Sequence, residues 1–99
     1  MPETLTEAIF KEHLNTTFRV HVADSNSVDT ELTEVSPGRQ TARQDQFSIL
    51  FRGPGDAFFP QGNYKIEHEK MGVFDLLLVP VAKDDKGFYY EAVFNRLRQ

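Results

Sequence analysis

The sequence predicts one α+β domain that is mainly β, with an N-terminal helix followed by about six antiparallel strands in a small barrel or sandwich. The chain of 99 residues has the usual size of a single domain, which we place at residues 1–99. Apolar residues show helical spacing only over about residues 5–14, and they alternate with a period of two over about residues 16–95. The segments between the alternating stretches are short, and short turns join antiparallel strands but not parallel ones.

The predicted helix begins at Thr4–Glu7, which has the form of a capping box. In a capping box, a threonine hydroxyl and the carboxylate three residues later bind backbone amides that are free at the start of a helix. Apolar side chains recur near one face up to Leu14, and Asn15 is a typical stop residue. Because about ten residues form only a marginal helix in water, we expect this helix to dock on the sheet.

Alternating apolar residues predict strands at about 18–22, 28–32, 47–51, 64–68, 73–81 and 88–94, with a connection at 37–44 and a frayed end at 95–99. Val35 falls out of phase with the second strand, which predicts a bulge near Glu34. Residues 76–79 are apolar at every position, which predicts a central fifth strand that is covered on both faces. Truncation of Leu77 is then expected to cost ~2 to 5 kcal/mol.

Charge and composition exclude several classes of partner. The chain has 11 basic and 15 acidic side chains, a net charge of −4, whereas nucleic acids and anionic membranes attract a dense basic surface. The longest apolar run, at about residues 76–82, is far shorter than the ~20 residues that cross a bilayer. The N-terminus is acidic and lacks the apolar stretch of a secretory signal. We therefore expect a cytoplasmic protein that binds neither nucleic acid nor membrane.

The sequence offers little catalytic chemistry. Its three histidines, His13, His21 and His68, do not have the spacing of a local metal-ligand pair. Residues 24–35 begin like a calcium loop, but they lack its glycine at position six and its glutamate at position twelve. There is no cysteine, and no serine lies in a nucleophile elbow. We expect no metal, no cofactor and no enzymatic activity.

The segment Phe58-Phe59-Pro60 is unusual because two adjacent aromatic residues lie in a connection that should face water. One interpretation is that Phe58 or Phe59 fills the open end of the barrel or sandwich. The other is that the loop is a contact patch for a protein partner, because exposed aromatic side chains mark such surfaces. Arg52 lies close by in the sequence and is a candidate polar anchor for that partner.

Four blocks of the sequence stand out: LFRGP at 50–54, PQGNY at 60–64, DLLLVPV at 75–81 and YEAVFN at 90–95. In order and spacing they resemble the blocks of a small bacterial family of uncharacterised domains of about this length. The resemblance covers Thr16 to Asn95. It implies an accessory or assembly role beside phage-tail-collar-like or surface-fibre proteins, and it transfers no catalytic residue.

Five polar residues in or near these blocks are not explained as turns or core: Arg52, Gln61, His68, Glu91 and Asn95. They form either a buried hydrogen-bond network or a binding face. The leading hypothesis is a non-enzymatic interaction module that binds a protein partner, or a second copy of itself, through the Phe58–Pro60 loop or an open sheet edge. The alternative is a small-molecule or carbohydrate binder, or a weak enzyme, with a barrel-mouth pocket lined by Arg52, His68 and Glu91.

Overall fold

A computed structural model describes residues 5–40 and 44–97 of the chain. These residues form one helix and six strands: α1 (Glu7–Glu12), β1 (Thr17–Ala23), β2 (Asn26–Gln40), β3 (Gln44–Gly53), β4 (Gly62–His68), β5 (Gly72–Asp84) and β6 (Gly87–Leu97). Neighbouring strands are antiparallel, and the sheet closes on itself in the order β1-β2-β3-β6-β5-β4. We call this closed sheet the strand ring. The predicted class, mainly antiparallel β with a short N-terminal helix, is confirmed.

Two long strands make the corners of the strand ring. The first half of β2 pairs with β1, and its second half pairs with β3. In the same way, β5 pairs with β4 over Gly72–Leu78 and with β6 over Val79–Asp84. Each strand has a bulge near the change of partner, at Glu34 in β2 as predicted and next to Pro80 in β5. Bulges bend a strand and increase its twist, so they help one sheet to close on itself.

Aromatic and aliphatic side chains from all six strands fill the inside of the strand ring. The buried apolar side chains are Leu5, Phe10, Phe18, Val20, Leu32, Phe47, Ile49, Phe51, Phe59, Ile66, Leu76, Leu78, Tyr90 and Ala92. Full burial of one such side chain contributes about 1.5 to 3 kcal/mol to folding. Because these residues form one connected cluster, the ring has a single core.

The helix closes one end of the strand ring and is shorter than predicted. Phe10 points into that end, with its ring centroid 5.5 to 6.4 Å from those of Phe18, Phe47, Phe74 and Phe94. The N-cap is Thr6, whose hydroxyl accepts a hydrogen bond from an amide of the first turn. Thr4, which starts the predicted capping box, lies outside the described residues.

The helix ends early because the chain must reverse its direction to enter β1. His13 is the C-cap, and Asn15 has a left-handed φ of +64° in the turn that follows. The amide of Asn15 then donates to the Leu32 carbonyl at 2.7 Å, so the chain has already joined β2 at this point. The helical spacing that continues to Leu14 in the sequence therefore includes residues of this turn.

β5 alternates between buried and exposed residues, so the prediction that it is covered on both faces is wrong. Leu76 and Leu78 are buried in the core, whereas Leu77 is 48% exposed. The physical reason is the place of α1. The helix fills an end of the strand ring through Phe10, and in the described part of the chain no second layer lies against the outer face of β5.

Several strands extend further than predicted. β2 reaches Gln40 and β6 reaches Leu97, so the predicted connection at 37–44 and the predicted frayed end at 95–99 are in part strand. β5 likewise continues to Asp84. The ends of β2 and β6 are strand because they pair with the start of β3.

Candidate partner-binding surface

Phe59 belongs to the core and not to the surface. It is 3% exposed, and its ring stacks on Tyr90 with centroids 3.8 Å apart and an interplanar angle of 6°. Its backbone amide donates to the Tyr90 hydroxyl at 3.3 Å, and its ring also meets Tyr64 edge-on. Phe59 therefore fills the end of the strand ring opposite to α1, which is the first of the two interpretations of this loop.

Phe58 points the other way and is 56% exposed. Its only near neighbours among the described aromatic rings are Phe88, edge-on at 5.1 Å between centroids, and Tyr90 at 6.5 Å. Pro60 is also exposed, and its carbonyl accepts a hydrogen bond from the Tyr64 hydroxyl at 2.5 Å, which fixes the loop. The loop thus presents one aromatic side chain to solvent from a rigid base.

Arg52 lies on the outer face of β3 near this loop. Its guanidinium donates to the Glu31 carboxylate at 2.6 Å, and the two residues are directly opposite each other on β3 and β2. Arg52 also lines an open groove of about 530 Å³ together with Asp29, Pro54 and Lys86. Because the charge of Arg52 is already paired, a partner that uses it must compete with Glu31.

The structure does not bring the five polar residues of the sequence blocks together. Arg52 lines the groove just described, and His68 is buried at the α1 end of the strand ring. Glu91 lines a small depression on the outer face, while Gln61 and Asn95 are exposed. The expected pocket of Arg52, His68 and Glu91 is therefore not formed, and neither is one shared hydrogen-bond network.

The structure contains a surface that the sequence did not single out. β6 pairs with β3 over Phe88–Leu97, but with β5 only over Gly87–Glu91. Residues Ala92–Leu97, which we call the β6 edge, therefore have a paired strand on one side only in the described ranges 5–40 and 44–97. Val93 in the β6 edge is 68% exposed, the highest value among the large apolar side chains that the structure describes.

Apolar side chains lie on both sides of this split between β5 and β6. Val79 pairs with Glu91 at the last register position that the two strands share. Leu77 and Val93 each lie two residues beyond it, on the outer face. In the described ranges, two further stretches have a paired strand on one side only: residues 72–78 of β5, which face the same split, and the second half of β2. The β2 stretch carries Pro37, and proline protects edge strands from added strands. The β6 edge carries no proline.

A family model described as a domain of unknown function, DUF6916, matches residues 5–94. The chain belongs to the DUF6916 family. The expected membership of an uncharacterised domain family is confirmed at this level. No curated protein and no solved structure matches the chain. The match runs from the residue before the N-cap of α1 into β6, so it covers α1, β1 to β5 and β6 as far as Phe94.

In this DUF6916 domain His68 is buried beside the end of α1, and both of its ring nitrogens have partners. The amides of Lys70 and Met71 donate to Nδ1 at 3.0 and 3.1 Å. The Thr16 hydroxyl uses its proton for the His13 carbonyl, at 2.6 Å, and lies 2.9 Å from Nε2. Nε2 must therefore donate to Thr16, and His68 is neutral with its proton on Nε2.

The remaining histidines have ordinary surroundings. The ring of His13 lies against that of His68, with centroids 4.6 Å apart, and His21 is 3.0 Å from the Glu67 carboxylate. Within the described residues, no group of three or more histidine, cysteine, aspartate or glutamate side chains is placed to hold a metal ion. In the same part of the chain, no helix has the length and apolar character that crossing a membrane requires.

Proposed function

We propose that this DUF6916 domain is a non-enzymatic protein-interaction module that binds an extended segment of a partner along the β6 edge. The observation that carries the proposal is the half-paired strand at Ala92–Leu97 with Val93 exposed in it. Backbone N–H and C=O groups on an unpaired strand edge are available to an added strand, and strand addition is a common mode of peptide recognition.

The outer face next to the β6 edge favours a segment that combines apolar and basic side chains. Val93 is opposite Ser48 of β3. In the adjacent cross-strand row, Leu50 lies between Glu34 and Glu91, and these residues line a depression of about 110 Å³. Among the side chains that the structure describes, neither of these two glutamates forms an ion pair. A lysine or arginine of the partner would supply the missing opposite charge.

Phe58 is a second candidate contact. It is the exposed residue of the loop that the sequence assigned to a partner, and it lies on the Phe88 end of β6 rather than on the β6 edge. Phe59 is left out of the contact because its ring is inside the core. Pro60 of the same loop and Arg52 beside it complete the second candidate surface.

A selection of random peptides displayed against the immobilised domain tests the proposal. Peptides selected on the wild type should bind Val93→Lys about tenfold more weakly, which is ~1.4 kcal/mol, because a charge on an edge opposes strand addition. Val81→Lys is the matched control, since Val81 is another exposed valine but lies at the bulge of β5. Phe58→Ser reports on the second candidate surface.

The same peptides should shift the backbone NMR signals of residues 92–97 in the wild type. Peptides that bind all variants equally, or that leave those signals unchanged, would contradict the assignment to the β6 edge. Light scattering identifies a second copy as the occupant: a dimer of the wild type that becomes a monomer in Val93→Lys would mean that the β6 edge serves self-association.

The setting of this role is part of the same proposal. The resemblance of the sequence blocks suggests a bacterial accessory or assembly protein associated with phage-tail-like or surface-fibre proteins, and we propose the cytoplasm as its location. The net charge of −4 supports a protein partner over nucleic acid or an anionic membrane. Co-purification of the chain with the products of neighbouring genes tests this setting, and their absence from the complex would count against it.

The alternative of a small-molecule or carbohydrate binder, including a weak enzyme, rests on the groove beside Arg52. That groove has about 530 Å³ of space and mixes charged residues such as Lys86 with apolar ones such as Val28. A screen of small polar ligands followed by NMR separates the two proposals. Shifts at Arg52 and Lys86 would favour the groove, whereas shifts confined to the β6 edge on adding peptide favour the interaction module.

A further inference from the structure

We infer that neutral His68 holds α1 on the end of the strand ring, and that protonation of His68 releases the helix while the strands stay folded. The inference is independent of the proposed binding role. It concerns a contact that joins the end of α1 and the start of β1 to the turn between β4 and β5, which is distant from both in the sequence.

α1 needs such a contact because it has only 6 residues. A helix of this length is not stable by itself in water, so its position depends on what its side chains and its ends touch. Phe10 anchors the inner face of the helix in the core. The end of the helix is held by the chain of hydrogen bonds from His68 Nε2 through the Thr16 hydroxyl to the His13 carbonyl.

Protonation is incompatible with the other side of the His68 ring. Nδ1 accepts hydrogen bonds from the amides of Lys70 and Met71, so it must carry no proton in this arrangement. A proton on Nδ1 would face two N–H donors and would leave both amides without an acceptor. The ring is 6% exposed and lies against Phe18 at 4.3 Å, so little of it is in contact with water that could replace these partners.

Burial acts in the same direction, whereas the charges around His68 act in both directions. Burial, and after it the neighbouring His13, lowers the pKa of His68 from its ordinary value of 6.5; Glu69 opposes this shift and Lys70 adds to it. Glu12 of α1 lines the same cavity, of about 410 Å³. Because the pKa is lower in the folded state, the contribution of neutral His68 to stability is complete above about pH 6.5 and is lost as the pH falls through the lowered pKa.

Amide hydrogen exchange measured by NMR at about pH 7.5 and about pH 5, corrected for the intrinsic effect of pH on exchange, tests the inference. The amides of α1 and of Lys70 and Met71 should lose protection at the lower pH. The amides of β3, which pairs with strands on both sides, should keep theirs and serve as the internal control. The inference would be overturned if the amides of α1 and β3 lose protection to the same extent, or if the amides of α1 lose none.

Variants separate His68 from the other titrating groups. In His68→Asn, the amide oxygen can still accept from the turn but nothing titrates, so the protection of α1 should no longer depend on pH. His21→Asn, which removes a histidine on the surface, should behave as the wild type. If the pH dependence disappears in His13→Asn but persists in His68→Asn, His13 is the titrating group and the inference is overturned.

A second pair of variants avoids dependence on the folding of His68→Asn. Thr16→Val removes the hydroxyl between His68 and His13, so α1 should already be poorly protected at about pH 7.5, with β3 unchanged. Thr16→Ser keeps the hydroxyl and should restore the protection. Full protection of α1 in Thr16→Val would show that the hydrogen-bond chain does not hold the helix.

Discussion

Phe58 and Phe59 are adjacent in the sequence but lie on opposite sides of the loop that closes the strand ring. Phe59→Ala should lower the free energy of unfolding by about 3 to 5 kcal/mol, because it removes a buried ring and leaves a cavity against Tyr90. Phe58→Ala should cost less than about 1 kcal/mol, since more than half of the side chain is already in water. Urea denaturation followed by fluorescence or circular dichroism measures both, and equal losses would contradict this assignment of roles.

Leu77 and Leu78 offer the same comparison within a strand. Leu78 is fully buried, so Leu78→Ala should cost about 2 to 5 kcal/mol, whereas Leu77→Ala at an outward position should change stability by about 1 kcal/mol or less. This reverses the expectation from the sequence, which placed Leu77 in the core. Both substitutions remove the same atoms from the wild type, so the urea midpoints of the two variants can be compared directly. A large loss in Leu77→Ala would indicate an unseen cover on the outer face.

At the scale of elements, the strands could be predicted where the period of two was clear. Phe18 and Val20 alternate with polar neighbours, and both are buried as expected. The run at 76–79 has no period, so the sequence could not say which residues face the core. The ends of β2 and β6 depend on pairing with β3, which is a contact between distant segments that local spacing does not contain.

The candidate site was less predictable than the strands. Alternation along β4 puts His68 on the face opposite to Glu67 and Glu69, but it left open whether His68 belongs to a buried network or to a binding face. It could not place His68 relative to Arg52 and Glu91, since the three lie at different positions around the strand ring. The signal for the β6 edge was present in the sequence as an apolar residue, Val93, at an outward position of the last strand.

The turn between β5 and β6 shows how a single glycine shapes an element. Asp84 accepts hydrogen bonds from the Lys86 amide and the Tyr89 hydroxyl, which lower the pKa of its carboxyl and fix the turn. Gly87 has a φ of +143°, and a Cβ there would lie 1.9 Å from the Gly53 carbonyl oxygen. Gly87→Ala must therefore push the turn away from the end of β3.

Gly72 is the matched position, because its φ is +87° but a Cβ would meet nothing within 4 Å. Gly72→Ala should cost about 1 to 3 kcal/mol from backbone strain alone. Gly87→Ala should cost clearly more, because steric displacement adds to the strain. Thermal denaturation ranks the two variants, and a Gly87→Ala protein as stable as Gly72→Ala would mean that β3 and the turn are not in contact.

For the whole molecule, closure of the strand ring is uneven. β3 pairs with β6 over Gln44–Gly53, whereas β1 pairs with β4 only over Arg19–His21. The β1–β4 pairing has few backbone hydrogen bonds and is centred on Val20 and Ile66, which are both buried. We expect the ring to open between β1 and β4 before the sheet around β3 unfolds, because local opening follows the region with the fewest interactions to break.

Native-state hydrogen exchange at neutral pH and low urea should therefore give lower opening free energies for amides at the β1–β4 register than for those of β3. Ile66→Val should lower both values by about 0.5 to 1.5 kcal/mol, because its contacts are lost in the local and in the global opening. Ile49→Val, the control in β3, should lower only the values of β3, since its contacts survive when β1 and β4 separate. If Ile49→Val lowers both values equally, the ring has no separate opening and unfolds as one unit.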